Sequence, residues 1–275
     1  MCLASVVPTQ PSENQTSSTE DSILVEHRGP VAVVTLNRPA VLNALTADMT
    51  PHYAEILRQL DADSSIRAIV VTGAGRGFCS GADTSALAGT ASELQAYVSG
   101  QSLESLPVVA LTIGTPVLTA INGPCAGIGF VLAISADFRF VAPEAKMSTT
   151  FARLGLVAEY GIAYLLPRLI GLPAATDLLL TGRTITGDEA DRIGLARAVE
   201  DPLAHALAFA EELVTNSSPS SIATMKRQLL EAQNHDLQQS VDASLADMSR
   251  AFTWPDLGEA LAARAQKRTP NFPGR

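Results

Sequence analysis

The sequence predicts an α/β fold followed by a helical C-terminal region, and three observations carry that reading. From Ser22 to about residue 200, short β-rich runs alternate with helical patterns, which predicts βαβ-type units. Two glycine-rich segments each follow a strand-like run and lead toward a helical one. Beyond residue 200 the apolar spacing is helical throughout.

Taken in order, residues 1–21 are rich in Ser, Thr, Gln, Pro and Glu and lack both a basic start and an apolar centre, so they read as a disordered polar tail rather than a signal peptide. Val31–Leu36 reads as a strand and 44–62 as a helix. Strands at 68–72 and Val117–Ile121 follow, with a helical pattern at 91–100 between them and a short apolar helix at 129–136 after the second. Phe138–Val141 reads as a further strand. Helices at 204–216 and 222–232 and a long one at 237–266 finish the chain. The expected division is a tail (1–21), a core (22–200) and a helical region (201–275), with no repeat visible in the sequence.

The two glycine turns carry the chemistry. Gly75-Arg-Gly-Phe-Cys-Ser-Gly-Ala-Asp83 follows the strand at 68–72, and Asn122-Gly-Pro-Cys-Ala-Gly-Ile-Gly129 follows Val117–Ile121. Backbone N–H groups at such turns are unpaired and point toward negative charge, aided by the dipole of a following helix. Two of them converging on one carbonyl make an oxyanion hole, in which a thioester oxygen becoming an enolate is stabilised. Losing one such donor typically costs roughly 3–4 kcal/mol.

Composition bounds the remaining classes. With 275 residues, 47% hydrophobic and 17% charged, the chain can bury a sizeable core in one large domain or two small ones. A net charge of −9 argues against nucleic acid or an anionic membrane as partner, and limits phosphate contacts to a few local cations. Cys2, Cys79 and Cys125 have no metal-type spacing and are too few for a disulfide framework, which fits a reducing, cytoplasmic setting. Cys79 and Cys125 read as small packing residues in the turns, not as nucleophiles. No histidine sits with a partner at ligand spacing, so no metal is expected. No G-x-G-x-x-G follows a strand in a dinucleotide unit, so neither nicotinamide nor flavin is expected. No apolar run reads as long enough to span a bilayer.

In this order the segments resemble the crotonase (enoyl-CoA hydratase/isomerase) superfamily. Val34-Thr-Leu-Asn-Arg-Pro39 with Leu42-Asn-Ala-Leu45 is similar to its opening strand and first helix. Leu178-Leu-Leu-Thr-Gly-Arg183, Glu189-Ala190 and Ile193-Gly-Leu195 resemble the segment leaving its core, and Asp256-Leu-Gly-Glu-Ala260 through Phe272 its last helix and tail. The resemblance implies a ββα spiral core and a C-terminal helical oligomerisation region that forms a homotrimer or dimer of trimers. It also implies an acyl-CoA thioester as ligand, with coenzyme A part of the substrate and no separate cofactor.

Position by position, Ala82 and Ile128 match the donors of the family's oxyanion hole. Ile128 stands where many members have Gly, which leaves the backbone donor in place. Ser80, Gly81 and Asp83 would line the CoA path, with Gly127 beside them in the second turn, and Ala40, Val41 and Leu42 match positions along the nucleotide. Arg76 would meet the adenosine or its phosphates, or else is an exposed loop charge. Lys267, with Arg268, would reach the 3′-phosphate, or else is a solvated helix end.

A typical enoyl-CoA hydratase places and splits water with two glutamates. The resemblance puts Val131 and Phe151 at their positions, and neither side chain can take a proton, so concerted hydration is disfavoured. Glu159, on the loop that follows, matches the single catalytic Glu of peroxisomal-type enoyl-CoA isomerases and an Asp of ring-rearranging isomerases. One carboxylate suffices for a 1,3-proton shift. In an apolar pocket implied by Phe130, Val131, Phe151, Leu156 and Tyr160, burial would raise its pKa. Ala158 replaces the usual Pro and Tyr160 a smaller residue, so a carboxylate facing solvent is the alternative. The leading expectation is thus an enoyl-CoA isomerase with Glu159 as acid/base, against a hydratase or a CoA-ester binding protein without catalysis. Asp83 reads as a brace of the first turn, Asp137 and Arg139 as a structural ion pair, and 84–106 as the loop that shapes the acyl pocket.

Overall fold

Two sheets organise the chain, seen in a computed structural model that describes residues 19–83, 90, 92, 95, 99 and 101–273. The larger, six-stranded sheet runs β1 (Ile23–Arg28), β2 (Val31–Leu36), β3 (Ala68–Gly73), β4 (Val117–Ile121), β6 (Phe138–Val141) and β9 (Arg197–Ala198). Within this sheet, among the described residues, only the β1–β2 pair is antiparallel. A three-stranded sheet holds β5 (Cys125–Ala126), β7 (Lys146–Ser148) and β8 (Ile185–Thr186).

The central strands are continuously apolar because both faces of the large sheet are covered. Ile69 and Val71 face the main core with α1 (Met49–Ala62) and α2 (Ile128–Ser135). Their neighbours Ala68 and Val70 face the opposite way, onto Ala206, Ala210 and Val214 of α5 (Pro202–Asn216). The period of two in a strand divides one sequence run between two cores. Each such Val or Ile contributes roughly 1.5–3 kcal/mol relative to its exposed state.

Local chemistry places the element ends. The helix read from residue 44 begins only at Met49, because Pro39–Val41 forms a 3₁₀ turn and Leu42 and Asn43 take left-handed φ of 53° and 58°. Leu45 then bridges to Ala82 before the helix starts. The long helix read at 237–266 is two, α7 (Leu237–Ala251) and α8 (Pro255–Gln266), since a proline cannot donate within a helix and opens a new one instead. Proline also opens α5 and α6 (Pro219–Glu231), behind the capping side chains of Asp201 and Ser218.

Several elements were not read from sequence. β1 buries only Ile23, and α3 (Ile162–Thr181) contains Pro167 and Pro173 and a break at Gly171, φ 77° and ψ 156°. The short strands β5, β7, β8 and β9 and the short helix α4 (Gly187–Arg192) are likewise new. Contrary to the expectation of no membrane-length run, α3 is long and apolar enough to cross a bilayer by length and composition alone. Ile162, Leu165, Leu166, Ala175 and Leu178 are nevertheless buried against the core, and the Gly171 break interrupts the helix.

The expected Asp137–Arg139 pair is replaced by another. Asp137 Oδ2 accepts from Lys226 Nζ at 2.6 Å and from Val117 N at 2.8 Å, tying α6 to the start of β4. Arg139 reaches the carbonyls of Ala136 at 2.6 Å and Leu195 at 2.8 Å. The helical pattern at 91–100 and the loop at 84–106 lie largely outside the described residues, as do residues 1–18. The turn Thr19–Ser22 within the expected tail is tied down, Asp21 O accepting from Asn37 Nδ2 at 2.9 Å.

Candidate active site

Both glycine turns leave the carboxyl ends of neighbouring parallel strands, β3 and β4, which is where open α/β sheets present their sites. Hydrogen bonds lay one turn against the other. Phe78 N and Cys79 N donate to Pro124 O at 3.1 and 3.0 Å, and Ala126 N donates to Cys79 O at 2.9 Å. At Gly81, φ 115°, an added β-carbon would come 3.2 Å from Ala126 O; at Gly127, φ 53°, one would come 3.8 Å from Gly81 Cα. The peptides that carry Ala82 N–H and Ile128 N–H therefore follow two glycines in contact, and only glycine fits both. Neither N–H has a hydrogen-bond partner among the described residues. Ile128 opens α2, so the helix dipole adds positive potential there.

The first turn is held from a third segment. Ser80 N donates to Leu42 O at 2.9 Å, Ser80 Oγ to Val41 O at 3.1 Å, Leu45 N to Gly81 O at 2.8 Å and Asp83 N to Leu45 O at 2.8 Å. Ala40, Val41, Leu42, Ser80, Gly81, Ala82 and Asp83 are thus one contiguous strip, with Ala40, Val41 and Ala82 exposed. Asp83 accepts from Arg38 Nη1 at 2.8 Å, the bracing role read from sequence. Arg76 is exposed on the same turn, with no partner for its guanidinium among the described residues.

A separate segment, which touches the second turn at Gly127, carries Glu159 further along. Gly127 N donates to Ser148 O at 3.2 Å, and a β-carbon on Gly127 would meet Thr150 Oγ1 at 3.4 Å. From Thr150 the chain makes the 3₁₀ turn Phe151–Leu154 and enters the loop that holds Glu159. Tyr160 and Gly161 both adopt left-handed φ, 51° and 75°, and Ile162 N closes onto Glu159 O at 3.0 Å to start α3. The Glu159 side chain is half-buried, without a hydrogen bond or ion pair among the described residues, and burial raises its pKa above the ordinary carboxylate value. Val131 and Phe151 are buried in the core.

Other expected groups fall elsewhere. Burial pushes the Cys79 thiol up to about 12 and Cys125 well above its ordinary value, so neither supplies a thiolate. Lys267 ends α8 in the left-handed region and is exposed. Its neighbour Arg268 is taken by Glu259, at 2.6 and 2.9 Å. The tail beyond returns to the sheet where Arg67 Nη2 donates to Phe272 O at 2.5 Å, at the opposite end of β3 from the turns. No group of metal-binding side chains occurs among the described residues.

Sequence reading missed Asn43 and Asn122, whose side chains hold the first turn. Asn43 Nδ2 donates to Ala74 O and Gly77 O at 3.0 and 2.8 Å, and Asn122 Nδ2 to Gly73 O and Gly75 O at 2.9 Å each. The available signal was an asparagine between a proline-led turn and a helix, a residue type that tolerates positive φ.

Paired turns with unpartnered backbone donors at the carboxyl ends of parallel strands are what an oxyanion-stabilising enzyme requires. Comparison makes the assignment specific: residues 26–275 match the family described as Enoyl-CoA hydratase/isomerase. A probable enoyl-CoA hydratase of Mycobacterium bovis is 37% identical over 270 residues, spanning 93% of this chain and 94% of that protein. The 1,2-epoxyphenylacetyl-CoA isomerase of Escherichia coli is 33% identical over 256 residues, 89% of this chain and 95% of its own. The crystal structure of a probable enoyl-CoA hydratase/isomerase from Mycobacterium abscessus superposes with a TM-score of 0.84 at 34% identity, covering 92% of this chain and 99% of the other. The chain belongs to the enoyl-CoA hydratase/isomerase family, within the crotonase superfamily, and is an enzyme of that superfamily.

Proposed function

We propose that the protein is an enoyl-CoA isomerase, moving a double bond with Glu159 as the single acid/base. Ala82 N–H and Ile128 N–H hold the thioester oxygen as negative charge develops on it. Glu159 takes a proton from the α-carbon of a β,γ-enoyl-CoA, giving a dienolate, and returns it at the γ-carbon, so the product is the conjugated α,β-enoyl-CoA with no atom gained or lost. The observation that carries the reading is a half-buried, unpartnered Glu159 carboxyl on the segment that continues from Thr150 beside Gly127, while Val131 and Phe151 offer no second acid. A base tuned upward by burial suits proton abstraction near neutral pH.

The same site would hold coenzyme A along 40–42 and Ser80–Asp83, with Arg76 at the nucleotide end. Lys267, exposed at the end of α8, would act at the 3′-phosphate. Exposed Leu237, Val241 and Leu245 recur at four-residue spacing on one face of α7, exposed Phe252 follows its end, and Leu229 of α6 and Leu261 of α8 are exposed as well. A face of this kind supports a homotrimer or dimer of trimers.

Hydratase activity is the second reading, favoured by the names of relatives such as the M. bovis protein. Incubation with a β,γ-enoyl-CoA and, separately, with a trans-α,β-enoyl-CoA decides between them. Gain of conjugated-thioester absorbance from the first is expected. Loss of conjugation from the second, with none gained from the first, overturns the isomerase reading.

A further inference from the structure

We infer that Asn43 is a positioning residue of the oxyanion hole, setting where Ala82 N–H points without touching the substrate; this rests on the hole assigned above. Asn43 has no solvent exposure and a left-handed backbone, φ 58°. Its carboxamide joins two segments: Nδ2 bridges Ala74 O and Gly77 O of the turn at 3.0 and 2.8 Å, and Oδ1 accepts from Arg38 N of its own segment at 2.8 Å. The residues on either side of it hold the other end of the same turn. Leu42 O accepts from Ser80 N at 2.9 Å, Leu45 N donates to Gly81 O and Leu45 O accepts from Asp83 N, each at 2.8 Å. One short segment therefore fixes both the entry of the turn, at Ala74 and Gly77, and the exit, on either side of Ala82.

The consequence is geometric. A donor contributes to an oxyanion only when its N–H is aimed before the charge develops, and a small misplacement forfeits much of the effect. Inside this turn the backbone carbonyls of Ala74 and Gly77 converge on Asn43, and a β-carbon at the adjoining Gly73 would lie 2.1 Å from Gly77 O and 2.7 Å from Asn43 Nδ2, so the carboxamide sits in close contact with the turn it bridges. Taking away its two donor hydrogens leaves two converging carbonyls unsatisfied and repelling each other. The turn then relaxes and Ala82 moves with it.

The test uses Asn43→Asp, which keeps size and the Oδ1 acceptor but presents oxygen to both carbonyls, and Asn43→Gly, which suits the positive φ and removes the carboxamide. The probe is a β-aryl-acryloyl-CoA, whose absorbance moves to the red when its thioester carbonyl is polarised by hydrogen bonds. Both variants are expected to bind the probe within about threefold of wild type, to lose most of the red shift, and to lose roughly 10- to 100-fold in kcat at similar KM. Circular dichroism checks that the variants are folded; if the aspartate variant does not fold, the glycine variant alone decides. A folded variant that retains the full shift and kcat overturns the positioning role and leaves the proposed function standing. A wild type that binds the probe without any shift overturns the hole itself, and this inference with it.

Discussion

A β-carbon built on Gly129 would lie 2.3 Å from the carbonyl oxygen of Cys79 and 2.7 Å from its Cβ. The first turn of α2, which presents Ile128 N–H, thus rests directly on the turn that presents Ala82 N–H. A bulkier residue at 129 would have to push backbone from backbone, with no flexible side-chain end to give way. Gly129→Ala is expected to lower kcat by about 100-fold, the scale of losing one oxyanion donor, and to destabilise the fold by about 1–3 kcal/mol through overpacking. Steady-state kinetics alongside urea titration checks both; a variant with wild-type kcat contradicts the contact as the spacer of the hole.

Burial raises the pKa of Glu159, so the folded state binds this proton more tightly than the unfolded chain does. Stability therefore falls as pH rises from the ordinary carboxylate value through the raised folded value, and stays lower above it. Glu159→Gln removes that penalty. Calorimetry is expected to give the variant an equal or higher Tm at pH 7, with the difference vanishing at pH 4 and below. For the wild type, kcat/KM is expected to rise with pH through the same raised pKa, because the ionised form abstracts the proton.

Lys226 is only 9% exposed and its partner Asp137 22%. Removing one member leaves the other charge largely out of water, at a cost of about 3 kcal/mol. Lys226→Ala is expected to shift the urea midpoint down by that amount while kcat of the folded enzyme stays within twofold. Loss of kcat without loss of stability would place α6 in the catalytic machinery instead.

Arg76 is expected to act on the nucleotide and not on the acyl group. Arg76→Glu should raise KM for an enoyl-CoA about 10-fold, more at low ionic strength, and leave the pantetheine thioester of the same acid unchanged. Equal effects on both thioesters would assign Arg76 a role in the turn itself.

How much of this was legible depended on the range of the interaction. β3 and β4 announced themselves because burial on both faces favours an apolar run broken only by Thr72 and Thr119, and the two turns because Gly81 and Gly127 hold positive φ, 115° and 53°. β1 hid because five of its six residues are exposed, leaving no alternation to read. α3 hid because Pro167, Gly171 and Pro173 interrupt its pattern, and the chain does leave helical geometry at Gly171. Lys226 pairs with Asp137 across 89 residues, whereas Arg139 two positions away offered the nearer guess. Asn43 and Asn122 bond only to main-chain carbonyls of another segment, a role with no periodicity. Ala82, Ile128 and Glu159 were singled out by likeness to a family; that the two N–H groups lack partners and that burial raises the Glu159 pKa is legible only in the fold.

The rate at which Glu159→Gln converts a β,γ-enoyl-CoA to the conjugated thioester tests the central claim most directly. The account predicts a fall of at least about 10²-fold in kcat, the scale of a lost general base, with the Kd for the substrate unchanged. A variant that isomerises at the wild-type rate would contradict it and assign the proton transfer to another group.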